Sequence, residues 1–138
     1  MRLRVGSFLY GLAADAGRVW LLSGSGDPDR QRDSTVRLRR LDQRHGQVTA
    51  TLPLPQLEVG AFRGPLGLAP GGGAVWVAGP DSGGLQGGGI LLRVDLASGR
   101  AAGWLRDPLG FFPGVLAAGP HGVWVGTEAP ALLHVVAA

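Results

Sequence analysis

The chain contains no cysteine, no lysine and no asparagine, and its only isoleucine is Ile90. Without cysteine there is no disulfide framework, no thiolate nucleophile and no cysteine-ligated metal. The absence of lysine removes the phosphate-cradle motif, which needs a Lys-Ser/Thr pair at a helix start, so Gly83-Gly84-Leu85-Gln86-Gly87-Gly88-Gly89 reads as a plain Gly-rich loop. All 13 cationic residues are therefore arginine, a bias that a GC-rich coding sequence produces without functional selection. Lacking Lys and Cys and holding one Tyr, the chain has almost nothing that titrates between His and Arg. Its isoelectric point near 11.0 is inflated by that gap. The formal net charge is only +3. Arg37, Arg39, Arg40 and Arg44 are the nearest thing to a basic patch, but on an alternating strand they split between two faces, and no nucleic-acid partner is expected.

Long apolar runs are also missing. No stretch approaches the ~18 residues of a membrane span. The basic start Met1-Arg2-Leu3-Arg4 is followed by Gly6, Ser7, Gly11 and Asp15, which break up any secretory core. The chain as it stands is expected to be soluble and cytoplasmic, with no membrane partner. Helices are excluded on similar grounds, because 25 glycines and 10 prolines leave no window long enough for a stable amphipathic helix. What remains is room for short strands.

The order in which those strands recur is the main signal. Gly17-Arg18-Val19-Trp20-Leu21-Leu22, Gly73-Ala74-Val75-Trp76-Val77-Ala78 and Gly122-Val123-Trp124-Val125-Gly126 place a tryptophan in the same phrase at intervals of about 50 residues. A Gly-x-Phe precedes each (Phe8, Phe62, Phe112), and a Leu-rich strand follows, ending in Asp42 with Gly46 or in Asp95 with Gly99. The second unit is complete. It predicts strands at 66–69, 74–78, 90–95 and 100–105, with turns at 70–73 and 97–99. Four short antiparallel strands in a unit of that length make a β-propeller blade. A β-sandwich or barrel would also supply short strands but would not explain the recurrence.

The residues that carry the recurrence, Leu-Ala then a Gly turn then Val-Trp-Val, with the Arg-x-Asp-x-x-x-Gly hairpin of Arg93 to Arg100 and its looser copy at Arg40 to Gln47, resemble bacterial YVTN-type propeller repeats and virginiamycin B lyase-like propellers. The expected fold is thus all-β, with propeller-type four-stranded blades at about 6–54, 60–105 and 110–138, the last completed by a strand at 1–5. Three blades do not close a ring, since propellers have four to eight. Two copies forming a six-bladed homodimer, or further blades from a longer chain, are the two ways to satisfy that.

Functional candidates sit on the loops at one end of the blades, at 23–34, 79–89 and 127–131 and between units. Aromatic residues beside Arg and carboxylates there nominate Tyr10, Glu58, Arg63, Asp107, Phe111 and Glu128 as a rim for a protein or small ligand. The repeated Phe8, Phe62 and Phe112, and the three repeated tryptophans, read instead as packing between blades. Asp27, Asp29 and Asp33 look like a calcium loop but lack its turn glycine and its bidentate Glu, and Arg30 and Arg32 compete for the carboxylates. His45 and His121 read as turn residues, and His134 as an outward replacement of Arg93. The resemblance to the lyases implies a His–Glu pore with a divalent metal; Glu128 could approach such a rim, but no His is placed by the repeat to join it. The expectation is a non-catalytic binding module with no cofactor; a metal-dependent lyase or lactonase, or a propeller fragment without autonomous function, is the alternative.

Overall fold

A computed structural model of the chain describes residues 8–25, 35–57, 66–81, 88–107, 115–126 and 132–136. Among them are eleven strands and no helix. Strands β1 (Phe8–Asp15), β2 (Arg18–Ser25), β3 (Thr35–Asp42) and β4 (Val48–Pro53) form one antiparallel meander. A second meander holds β5 (Gly67–Gly71), β6 (Ala74–Pro80), β7 (Gly89–Asp95) and β8 (Ala101–Asp107). In a third sheet β10 (Gly122–Gly126) lies between β9 (Val115–Gly119) and β11 (Leu132–Val136). The three sheets follow the three sequence units in order. The strand expected at 1–5 lies outside the described residues.

Elementary turn chemistry sets these hairpins. In the β1–β2 turn both central residues have positive φ, 37° at Ala16 and 82° at Gly17, and the β5–β6 turn repeats this with 63° at Gly72 and 74° at Gly73. Such turns match the right-handed twist of the strands they join. The expected turn at 70–73 narrows to its last two residues because Pro70 and Gly71 pair with Val75 and Ala74. Proline is tolerated in β5 because this strand is hydrogen-bonded to only one neighbour.

The β3–β4 and β7–β8 hairpins close on an aspartate. Gly46 N–H donates to Asp42 O at 2.8 Å, and Gly99 N–H donates to Asp95 O at 2.9 Å. One backbone bond then ties each sheet's two turns together: Gln43 N–H to Gly17 O at 3.1 Å in the first, and Leu96 N–H to Gly73 O at 3.1 Å in the second.

Sheet alternation gives each sheet two apolar faces. On one, Trp20 lies with Leu22 and Leu38; on the other lie Val19, Leu21 and Leu41. The tryptophan face of the first sheet packs on Val75, Val77, Leu92 and Val94 of the second. The second sheet repeats the arrangement, with Trp76, Ala78 and Leu91 packing on Val123 and Val125 of the third. Trp20 is 4% exposed and Trp76 1%. Trp124 occupies the same place in β10, with no sheet over it among the described residues, and is 47% exposed.

First strands lie side by side, β1 along β5 and β5 along β9. Leu66 N–H donates to Tyr10 O at 3.0 Å across the first of these junctions. The second is tight: a Cβ on Gly71 would stand 2.9 Å from the carbonyl carbon of Ala118, so only glycine lets these backbones approach.

Ala16 holds a left-handed backbone that costs an L-residue ~1–2 kcal/mol. Ala16→Gly removes that strain and returns ~0.4–1 kcal/mol through the freer unfolded chain, so a net gain of about 0.5 kcal/mol is expected in urea unfolding. Gly73→Ala, at a position with open space around it, should cost ~1 kcal/mol. A loss for Ala16→Gly or a gain for Gly73→Ala would contradict the turn geometry.

Candidate functional site

Antiparallel meanders put the tight turns at one end of each sheet and the longer connections at the other. Of the rim candidates, Tyr10 in β1 and Asp107 at the end of β8 lie toward the second end. Tyr10 stands at the bulge between Leu9 and Gly11, half-buried against the first core cluster. Its ring covers Gly24, where a Cβ would come within 2.7 Å of Tyr10 Cε2. Burial raises the Tyr10 pKa above the ordinary phenol value. Tyr10 thus shapes the rim from below, as a wall over β2. Asp107 ends β8 opposite Gly89. Glu58, Arg63, Phe111 and Glu128 lie outside the described residues, as do Asp27, Asp29 and Asp33 and the side chains of Phe8, Phe62 and Phe112.

Beside Asp107 is a charged pair with no counterpart in the repeat. Asp81, at the end of β6, is 7% exposed and bridges to Leu57. Arg106 Nε reaches Asp81 Oδ2 at 3.2 Å, and Asp81 N–H donates to Gly88 O at 3.0 Å. The Arg106 side chain is 61% exposed, so the pair offers a guanidinium to solvent above a fixed carboxylate. Asp107 follows Arg106 in the chain. Periodicity could not reveal Asp81, because the signal is its nearness to Arg106 across the second sheet.

A second feature lies between the first two sheets. A cleft of about 260 Å³ is lined by Trp20, Leu38, Arg40, Leu52, Val94 and Leu96, among others. Trp20 Nε1 is buried there without an acceptor among the described residues. A buried unpaired donor costs ~1–3 kcal/mol, which an acceptor placed on it would recover. The arrangement is an apolar slot with one donor in its wall.

Trp20, Trp76 and Trp124 do not form an aromatic cage, because each of the three lies in a different sheet beside a cross-strand partner. Trp20 pairs with Arg40, Trp76 with Arg93 and Trp124 with His134. Arg93 Cζ lies 5.9 Å from the centroid of the Trp76 ring, and its Nη1 reaches Asp95 Oδ2 at 3.2 Å. His134 stacks on Trp124 with centroids 4.2 Å apart and planes 9° from parallel. An exposed His134 therefore also serves as a lid on Trp124. His45 and His121 are in turns, as expected. Among the described residues, no three His, Asp or Glu side chains come together as a metal-binding group.

Opposite the rim, two turn carboxylates have lowered pKa values. Asp42 is held down first by the side-chain hydrogen bond with His45, at 3.2 Å, and next by Arg44 N–H at 2.6 Å. Asp95 is held down first by Ser98 N–H, at 2.8 Å, and then by Arg93. A carboxylate whose pKa is depressed by folding stabilises the native state above its unfolded pKa, near 4, and loses that contribution as pH falls through the native value. Melting temperature should therefore drop on acidification below about pH 4. Asp42→Asn with Asp95→Asn should lower it at neutral pH and flatten the acid decline; parallel melting curves for variant and wild type would contradict these roles.

The chain matches no protein-family model and no curated protein.

Proposed function

We propose that the three sheets are blades of a β-propeller of the YVTN-repeat or virginiamycin B lyase-like kind, and that the chain is a non-catalytic module binding a protein or small ligand at its loop rim. The observation that carries this reading is the twofold use of one interface. The same tryptophan face covers the same valine face in successive sheets, while β1, β5 and β9 run beside one another. A repeated face-to-face stack with its first strands gathered together is the packing of blades around an axis. A sandwich joins two faces once and has no reason to repeat the join.

Binding at the rim follows from the division of labour between the two ends. Aspartate hairpins and type I′ turns close one end on itself through the bonds at Gln43 and Leu96. The other end carries Arg106 exposed over Asp81, with Asp107 next to Arg106 in sequence. A guanidinium next to carboxylates suits a partially charged ligand, with the arginine taking an acceptor in bidentate fashion.

The test is hydrogen exchange with a panel of small carboxylic acids, sugars and short peptides, each first screened by thermal shift. A ligand should protect segments 58–65 and 107–114, and Arg63→Ala or Phe111→Ala should weaken it ~10-fold or more without moving the melting temperature of the free protein. Chemical conversion of the ligand, abolished by a chelator, would replace the binding reading with the metal-dependent lyase or lactonase. Protection confined to the aspartate hairpins would overturn the rim assignment.

A further inference from the structure

The large apolar side chains exposed among the described residues are Leu9, Leu12, Val48, Trp124 and Val136. Strand register sorts all of them onto two faces. Leu12 pairs with Leu21 and Leu9 with Ser23, two residues on, the bulge between Leu9 and Gly11 keeping both leucines on one side. Val48 pairs with Leu41, which pairs with Val19. These three lie on the valine-type face of the first sheet, turned away from the second. Trp124 pairs with His134, and Val136 pairs with Gly122, two residues before Trp124. These lie on the tryptophan face of the third sheet.

The interior of the molecule shows what covers each kind of face. Val19, Leu21 and Leu41 stand where the second sheet has Val75, Val77 and Val94, and those are buried under a tryptophan face. Trp124 stands where Trp76 lies, and Trp76 is buried on a valine face. Leu21 and Leu41 are themselves 5% exposed, so the open part of the first sheet's face is Leu9, Leu12 and Val48. Among the described residues the two open faces do not meet, and Leu12 stays 62% and Trp124 47% exposed.

We propose that the occupant of each open face is a second copy of this chain: the Trp124 face of one copy packs on the Leu9, Leu12 and Val48 face of its partner, and the reciprocal contact closes a ring of two copies. Continuity with the two internal interfaces is the argument, since the new contacts repeat a junction the chain already makes twice. A ring of six blades falls within the four to eight that close. At the junction, Arg39 takes the place of Leu92 and lies on the face that meets Trp124, where a guanidinium can stack on the indole. The pairing rests on the blade stacking proposed above but not on any ligand at the rim, so either can fail alone.

Light scattering after size exclusion across a concentration series is the test. Wild type should give one discrete mass of about twice 14.2 kDa. Trp124→Glu and Leu12→Glu should each weaken association at least ~10-fold while leaving the circular dichroism of the monomer unchanged, since both side chains are exposed in a single copy. Mixing the two variants should restore part of the association, because each mixed pair keeps one wild-type junction. If either variant fails to fold, Val136→Glu and Val48→Glu probe the same two faces. A wild-type monomer at every concentration, open-ended larger species, or a dimer sensitive to Trp124→Glu but not to Leu12→Glu would overturn the pairing; the last outcome would mean two tryptophan faces joined to each other.

Discussion

Everything in this molecule depends on a tryptophan face finding a valine face. A single four-stranded sheet with apolar residues on both sides cannot hide either of them alone, and a sheet this small gains stability only when a face is covered. Stacking solves the problem once per junction. The two internal junctions together bury Trp20, Trp76 and nearly all of the valines and leucines of β6 and β7. Burying a tryptophan in such a core is worth ~3–5 kcal/mol against alanine, a large share of a small domain's stability.

That interaction imposes a constraint at the inner edge. For faces to stack while the first strands converge, β1, β5 and β9 must come close enough for backbones to touch, which is why small residues fill them. Gly11 and Gly71 sit at the approaches, and Ala69 and Ala118 keep the neighbouring positions short. The outer strands face no such limit, and the cleft beside Trp20 opens there, between the β4 side of one sheet and the β7–β8 hairpin of the next. Aspartate turns hold one end of the first two sheets, and the end without them is free to diversify around Asp81 and Arg106.

Much of the fold was legible because its determinants are local. Gly and Pro punctuate the strands, and the phrase around Val-Trp repeats, so the strands expected at 74–78 and 90–95 are found as Ala74–Pro80 and Gly89–Asp95. The turn at 70–73 was drawn too long because Pro70 and Gly71 carry turn chemistry yet sit on a strand hydrogen-bonded on one side only. Features set by distant neighbours left no such trace. Trp124 has the same local sequence as Trp76, and only the absence of a covering sheet makes it exposed. Asp81 and Arg106 are 25 positions apart in a region where the repeat offers no parallel, and the Trp20 cleft exists only through the approach of two sheets. Of the rim candidates, Tyr10 and Asp107 lie at the end of the sheets away from the tight turns, and the ion pair beside Asp107 left no trace in the sequence pattern.

The most direct measurement of the central claim is the set of nuclear Overhauser contacts from the indole of Trp76. Cross-peaks to the methyl groups of Val123 and Val125 are predicted, because those side chains share one buried cluster across the junction between the second and third sheets. Contacts confined to residues of the second sheet would contradict the stack and, with it, the account of why this chain folds as it does.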